Sequence, residues 1–375
     1  MNASRSSDAI VVGAGIVGAA CAAALSRDGW RVTVVDKSFA ASGTTAAGMG
    51  HLVAMDDSPE QLALTAYSER LWRELAPELD PRSELDRCGT LWIAEDESQL
   101  AALMAKHHAY AAAGVASDIL DAAALAEAEP QLRARLVGAL RVTDDSVVYP
   151  PGATLRLLAI ARSHGARVVE GREVIAFAAN GVQLRDGALH ADVIVNAAGA
   201  FAAALTPGLP IVPRKGHLAI TDRLPGFCRH QLVELGYLTS AHVMTSESVA
   251  FNVQPRRTGQ VLIGSSRELV GWDSSINRSV LARMLRRATD FLPALPNAPI
   301  IRCWTGFRPA TPDKLPLIGR WEPTPGLWIA AGHEGLGITT SLATAQLIAD
   351  QIAGRETAIA ADAFSPMRAA HVEHV

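Results

Sequence analysis

The feature that most restricts the fold lies between residues 9 and 36, where strand, glycine turn, helix and strand follow one another in about thirty residues. Ala9-Ile10-Val11-Val12 reads as a buried strand, and Gly13-x-Gly15-x-x-Gly18 follows it directly. A small-residue helix with Ala19, Ala20, Ala22 and Ala23 runs to about Asp28, and Arg31-Val32-Thr33-Val34-Val35 forms the next strand before Asp36. Each position has a physical task. Gly13 permits the tight turn, Gly15 lets a pyrophosphate approach the backbone, and Gly18 lets helix and strand pack closely. The helix N-terminus presents unsatisfied N–H groups and the positive end of its dipole to phosphate. Asp36 stands where a carboxylate can bond ribose hydroxyls. The unit therefore reads as a Rossmann-type dinucleotide site contacted by Gly13, Gly15, Ile16, Val17, Gly18, Asp36 and Lys37. The fingerprint alone does not separate FAD from NAD.

The uncharged run 9–25 superficially resembles a secretory leader. Asp8 precedes it where a leader would be basic, glycines interrupt it, and an acid-terminated strand follows at once. No other stretch approaches the ~20 apolar residues of a membrane-spanning helix, so a soluble protein is expected. With 375 residues, 49% hydrophobic and 19% charged, the chain can fill sizeable cores in two or three domains. A formal net charge of -4 without a basic patch argues against nucleic acid and leaves small molecules or other proteins as partners. Cys21, Cys88, Cys228 and Cys303 are scattered without a CxxC pair. Neither zinc nor thiol–disulfide chemistry is supported, and a reducing cytoplasm fits better than a secreted setting, with peripheral attachment to the inner membrane left open. The chain has no HExxH and no GxSxG elbow, so metal and hydrolase chemistry have no support.

Beyond Asp36, the polar, glycine-rich segment 42–50 reads as a loop. Helices are expected over 59–75, 99–113 and 150–164, and a strand over 91–94. Leu62, Tyr67, Leu71 and Leu75 share one face of the first helix, and Pro150 in the opening turn of the third costs little. Asn180-Gly181 and Asp186-Gly187 mark hairpin turns before a buried strand that ends in Asn196-Ala197-Ala198-Gly199. Strand-like runs fill 211–264, and a helix is expected over 275–291. Gly332 to Gly337 then repeats the pattern of strand, glycine turn and helix, here over 338–352. The returning glycine turns predict an α/β, two-domain chain. A discontinuous dinucleotide domain takes residues 1–50, 150–205 and 305–375, and an inserted, antiparallel-sheet substrate domain takes 51–149 and 206–304. An NAD-linked dehydrogenase would more naturally keep its six strands contiguous.

Five blocks in order, spread over roughly 8–355, resemble the FAD-dependent amino-acid oxidase and dehydrogenase family, which includes glycine oxidase and D-amino-acid dehydrogenase. They are Gly13-Ala-Gly15-Ile-Val-Gly18, Ser42-Gly43-Thr44-Thr45-Ala46-Ala47-Gly48, Val195-Asn-Ala-Ala-Gly199, Gly306-Phe-Arg308-Pro309-Ala-Thr-Pro-Asp313 and Gly332-His-Glu-Gly-Leu-Gly-Ile-Thr339. The resemblance implies a flavoprotein whose dinucleotide is FAD. It places Ser42, Gly43, Thr44, Thr45, Ala47 and Gly48 on the pyrophosphate or ribityl chain, with Val174, Ala198 and Gly199 as further contacts. Gly332, His333, Gly335, Leu336, Gly337, Ile338 and Thr339 bring backbone N–H groups to the flavin or its pyrophosphate. Finer blocks, Phe251-Asn252-Val-Gln-Pro-Arg256, Gly264-Ser-Ser-Arg267-Glu268 and Gly332-His333-Glu334-Gly335, resemble the catalytic β subunits of hydroxyproline dehydrogenases and opine oxidases. Simpler members carry an aromatic clamp near position 252, so Asn252 argues against a glycine- or sarcosine-type pocket. That branch implies a homo-oligomer or a heteromer with small iron–sulfur or flavin-containing partner subunits. The chain lacks the cysteine cluster for an iron–sulfur centre, which would sit on a partner.

The resemblance implies hydride transfer from a substrate α-carbon to flavin N5, giving an imine that water hydrolyses. Arg308 is the candidate grip on the substrate carboxylate, because a guanidinium binds it through two parallel hydrogen bonds; the structural alternative is a pair with Asp313. His333 and Glu334 are candidate catalytic groups or simple helix caps, and Asn252 and Arg267 are candidate substrate contacts. His51 and His217 raise the question of a covalent flavin bond, but isolated histidines more often serve as ordinary polar residues. The expected activity is oxidation of the carbon–nitrogen bond of a small amino acid, D-configured and cyclic or N-substituted, such as D-hydroxyproline. The rivals are an NAD-linked dehydrogenase and a non-catalytic, flavin-bearing electron-transfer subunit.

Overall fold

The N-terminal unit forms as expected. Strands Asp8–Val12 and Arg31–Val35 pair in parallel, Val11 beside Val34, and helix Ile16–Arg27 connects them. The computed structural model describes residues 8–236 and 247–371, so the part of the strand-rich run that falls on 237–246 lies outside the described residues. Among the described residues the strands gather mainly into two large sheets. The first follows the order Leu317–Arg320, Leu327–Ala331, Val193–Asn196, Asp8–Val12, Arg31–Val35, Arg167–Val169. It is parallel except for the hairpin formed by its first two strands. Val11, Val32, Val34 and Val195 pack towards the helices Ile16–Arg27, Pro150–Ser163 and Ser341–Ala353. Ile10, Val12, Val35 and Ile194 pack on the opposite side against Val174, Val182 and Leu184 of a three-stranded sheet. Burial on both faces is why these strands are continuous apolar runs without alternation. Helix Ile16–Arg27 is apolar around its whole circumference for the same reason, packed against both neighbouring helices through Ala19, Ala20, Ala22 and Ala23.

The second sheet has eight strands, ordered Ile300–Ala310, Val212–Thr221, Val261–Glu268, Glu247–Pro255, Gln231–Glu234, Thr90–Ala94, Gly138–Val142, Ser117–Asp121. The expected antiparallel sheet is in fact mixed, because Gln231–Glu234 pairs with Thr90–Ala94 in parallel. These two strands come from separate stretches of chain that meet only after passage through the first sheet, so no hairpin dictates their relative direction. Helix Arg278–Phe291 covers one side, with Phe291 stacked on Phe251 at 4.2 Å. Both rings are fully buried, and burial of each stabilises by roughly 1.5–3 kcal/mol. This helix begins later than expected because Asn277 caps it, accepting from the Ser279 and Val280 N–H groups. Strand Ile300–Ala310 lies wholly in the second sheet and runs across the boundary expected between residues 304 and 305.

Two further local readings change. The segment 42–50, expected as a loop, contains the short helix Gly43–Ala47. The C-terminal helix starts at Ser341, not at 338. The preceding residues close a turn in which the Thr340 N–H donates to Leu336 O, and Ser68 and Trp72 both donate to Thr339 O from another helix, Pro59–Leu75. No helix of the described residues is long and apolar enough to cross a membrane.

Candidate active site

The carboxyl ends of Asp8–Val12 and Arg31–Val35 open on a cleft of about 460 Å3 that reaches the second sheet at Gly216, Asn252 and Arg308. Gly13, Gly15, Ile16 and Val17 line it, and Gly15 is the helix N-cap, with no side-chain cap and no acid in the first turn. That end of the helix therefore faces the cleft as an open anion site. Gly18 acts from beneath: a Cβ there would lie 1.9 Å from Gly13 O, so it shapes the turn without lining the cleft. Asp36 lines the cleft and also braces it, accepting from the N–H groups of Ala14 at 2.7 Å and Ser38 at 2.8 Å. Lys37 lies 3.4 Å over the Phe201 ring.

Ser42, Gly43, Thr44, Thr45, Ala47 and Gly48 form a further wall, joined by Val174, Ala198 and Gly199. The wall is tied down on both sides. Thr45 Oγ1 accepts the Ile16 N–H at 3.0 Å, and Thr44 Oγ1 donates to Phe307 O at 2.7 Å. His333, Gly335, Gly337 and Ile338 line the cleft as expected, whereas Gly332, Leu336 and Thr339 do not. Thr339 turns its hydroxyl to His51 O at 2.9 Å, Leu336 lines a neighbouring chamber, and Gly332 packs against Thr311.

The residues fit a dinucleotide whose ring carries polar edge atoms. Ser265 Oγ and His51 Nε2 belong to cleft-lining residues and are buried with no hydrogen-bond partner in the protein. Each such atom costs roughly 1–3 kcal/mol if nothing binds it.

Charge concentrates at the far end. Arg308 Nη1 donates to Ser266 O at 2.9 Å, and its guanidinium lies so close to Gly216 that a Cβ there would sit 2.4 Å from Nη1. The structural alternative for Arg308 does not form, because Asp313 pairs with Arg368 at 2.8 Å. Glu334 adopts φ 47°, and its Oε2 accepts the Gly335 N–H at 2.6 Å. Its Oε1 lies 3.6 Å from Arg214 Nη1 and 3.7 Å from Arg267 Nε. Burial pushes this carboxyl up, but Arg267, Arg308 and Arg214 outweigh burial and hold it below the ordinary range. Glu334 thus stays ionised at neutral pH.

A chamber of about 70 Å3 adjoins the cleft and shares His51, Asn252, His333, Glu334 and Gly335 with it. Arg267 lines this chamber and not the cleft itself. His51 and His333 line both cavities, and the three histidines differ in their surroundings. His333 is buried, its Nε2 3.0 Å from Thr344 Oγ1, and burial pushes it down to about 3. It anchors helix Ser341–Ala353 as a neutral ring and neither caps that helix nor carries a proton at neutral pH. His51 is pushed down to about 4 by burial and then by Arg308. His217 lies outside the cleft, with Nδ1 3.0 Å from Ser266 Oγ and Nε2 accepting the Asn277 N–H at 3.0 Å.

Sequence reading missed Arg214, Lys314, Asp57 and Ser265, all of which line the cleft or the chamber. One signal for Arg214 was available. Arg214-Lys215 interrupts a strand, both side chains are buried, and Arg214 stands opposite Arg308 in register.

The chain matches the family described as FAD dependent oxidoreductase over residues 8–351. It is 28% identical to hydrogen cyanide synthase subunit HcnC of Pseudomonas aeruginosa, with 94% of each chain covered. It is also 28% identical to glycine oxidase of Geobacillus kaustophilus, covering 96% of this chain and 97% of that one. The crystal structure of glycine oxidase from Geobacillus kaustophilus superposes with a TM-score of 0.87 at 27% identity, covering 98% of this chain and 99% of that one. Iminodiacetate oxidase from Chelativorans sp. superposes with a TM-score of 0.82 at 26% identity, covering 96% and 98%. The match extends over the glycine turn, the wall at 42–48 and the Arg308 strand alike, which removes the NAD-linked alternative. This chain belongs to the FAD-dependent oxidoreductase family, and its cofactor is FAD.

Proposed function

We propose that the enzyme oxidises the carbon–nitrogen bond of a small amino acid, D-configured and cyclic or N-substituted, with D-hydroxyproline as the first substrate to test. The observation that carries this reading is the position of Arg308, which lines the FAD cleft where it meets the charged chamber and is not engaged by Asp313. FAD would be held by the Gly13–Gly15 turn, Asp36, the wall at 42–48, Val174, Ala198, Gly199 and the Gly335–Ile338 turn. Bound there, its isoalloxazine supplies a hydride acceptor for the substrate α-carbon, and the resulting imine hydrolyses in water.

The chain's own residues bind and orient. Arg308 presents a planar fork that suits a carboxylate. Asn252 is 4% exposed, and its Oδ1 is suited to accept an N–H from the substrate amine. Neither His51 nor His333 can take the amine proton at neutral pH, since burial keeps both rings neutral down to acid pH. Glu334 is committed to its arginines. Among the described residues these three groups are poor proton acceptors, and in this reading the amine gives its proton to water before or on entry. Relatives named glycine oxidase and iminodiacetate oxidase support the amino-acid class. The free cysteines suit a reducing cytoplasm.

A second reading concerns where the electrons go. Phe201 lines the cleft and stacks on Trp272 at 4.4 Å, and the two rings are 42% and 47% exposed. An exposed aromatic pair at a redox cleft favours a partner subunit as the acceptor, and one relative is named as a subunit. Anaerobic absorbance of the FAD-loaded protein tests both readings, with D-hydroxyproline, D-proline, D-alanine, sarcosine and glycine added in turn. Bleaching of the visible flavin band by an amine supports the oxidation. A bound flavin that no amine bleaches sinks it. Fast recovery of the band in air marks an oxidase, and slow recovery favours the partner subunit.

A further inference from the structure

We infer that Trp272 is a cofactor-positioning residue: its stack on Phe201 clasps the two banks of the cleft over bound FAD and slows FAD release. The clasp acts on the cofactor, so it stands whichever amine is oxidised and whichever acceptor takes the electrons.

The two banks come from different sheets. Ala198, Gly199 and Phe201 line the cleft from the turn that follows strand Val193–Asn196 of the first sheet. Gly306 and Arg308 line it from strand Ile300–Ala310 of the second. Trp272 touches both banks. Its ring stacks on Phe201 at 4.4 Å with 12° between the planes, and meets Phe307 at 5.2 Å and 59°. Near-parallel and tilted pairs at about such separations are favourable for aromatic rings. Lys37 lies 3.4 Å over the Phe201 ring, and an ammonium that close cannot share a face with the stacked indole. Phe201 is therefore sandwiched, with Lys37 on one face and Trp272 on the other. One three-layer stack joins the end of the nucleotide strand, the 199–201 turn and the second sheet.

Trp272 is 47% exposed, yet its segment is tied down. It lies in residues 269–277, which link strand Val261–Glu268 to helix Arg278–Phe291. Lys215, 1% exposed, holds that segment from the buried side. Its ammonium is 3.4 Å from Asp273 Oδ2 and donates to Ser275 O at 3.1 Å. Thr305 Oγ1 donates to Ser274 O at 2.8 Å, and His217 Nε2 accepts the Asn277 N–H at 3.0 Å. These anchors stand on strands Val212–Thr221 and Ile300–Ala310, so Trp272 moves with the second sheet while Phe201 moves with the first. A dinucleotide held by both banks leaves only when they part. Two exposed rings on opposite banks resist that parting, because each covers apolar area of the other.

The test follows FAD release from the loaded enzyme, read as recovery of free-flavin fluorescence after dilution. Trp272→Ala should release FAD about five- to ten-fold faster, the worth of one stacked pair. Trp272→Phe keeps a ring for the stack and should stay within about two-fold of the original rate. Trp272 acts through Phe201, so Phe201→Ala combined with Trp272→Ala should release FAD no faster than Phe201→Ala alone. Release from Trp272→Ala at the original rate overturns the inference. So do equal rates for Trp272→Ala and Trp272→Phe, and so does a double variant in which the two effects simply add.

Discussion

The two ends of the cleft are made of different materials. At the nucleotide end the contacts are mostly glycines and small or hydroxyl-bearing residues in short consecutive runs, with Asp36 and Lys37 following the second strand. At the substrate end they are long charged side chains from separate strands and a turn: Arg214 on Val212–Thr221, Arg267 on Val261–Glu268, Arg308 on Ile300–Ala310, and Glu334 beyond Leu327–Ala331. A backbone-built site recognises what all dinucleotides share and needs little buried charge to do so. A side-chain-built site sets the substrate, but it must bury cations whose energies depend on one another. The nucleotide end should therefore tolerate loss of one contact, and the substrate end should not.

The largest expected effect tests the second half of that statement. Arg308→Met should lower kcat/KM by about a thousand-fold, the worth of two charge-assisted hydrogen bonds, while the purified protein keeps its full complement of FAD. Absorbance of the protein and steady-state kinetics read both. Loss of FAD in this variant would break the separation between the ends. The nucleotide end is expected to respond more gently. Asp36→Ala removes the acceptor of the Ala14 N–H and should raise the FAD Kd about ten- to a hundred-fold, with turnover restored by excess FAD. A failure of added FAD to restore activity would mean that Asp36 does more than hold the turn.

The pH dependence sharpens the comparison further. His51 is pushed down to about 4 and His333 to about 3, and Glu334 is held below its ordinary range. None of these groups changes charge between pH 6 and 8, so kcat/KM should rise about ten-fold per pH unit there, following the substrate amine alone. A plateau whose midpoint stays fixed when the substrate is changed would reveal an enzyme base.

The smallest effect concerns stability behind the substrate end. Glu69 and Asp145 are buried neighbours, both raised by burial, Asp145 to about 6. A carboxyl whose folded pKa lies above its unfolded one stabilises fully below the ordinary value near 4, and that stability is lost as pH rises through about 6. Tm should therefore fall between pH 4 and 7. Asp145→Asn should flatten this slope, with a gain of about 1–2 °C at pH 7. An unchanged slope would mean that other groups control it.

Legibility in the sequence followed the same division. Strand Arg31–Val35 and helix Pro59–Leu75 were readable to the residue, because a valine-rich run and a Ser-Pro helix start are local signals. The start of the last helix was misplaced because Ser68 and Trp72, distant in sequence, hold the preceding turn. The parallel pairing of Gln231–Glu234 with Thr90–Ala94 was invisible for the same reason. In the site, Arg308 and Glu334 stood in recognisable blocks, but Arg214 did not. It matters because Val212–Thr221 pairs with Ile300–Ala310 in a register that sets Arg214 opposite Arg308.

What the sequence determined by itself was the nucleotide end: glycine spacing, a valine strand and a terminal acid act over a few residues, and their physics does not depend on the rest of the chain. What only the tertiary structure decided was the charge at the other end. His333, next to Glu334 in the chain, is turned into a helix and kept neutral, while Glu334 is kept ionised by arginines from three strands. Electrostatic character depends on burial and on neighbours in space, and neither is written in residue order.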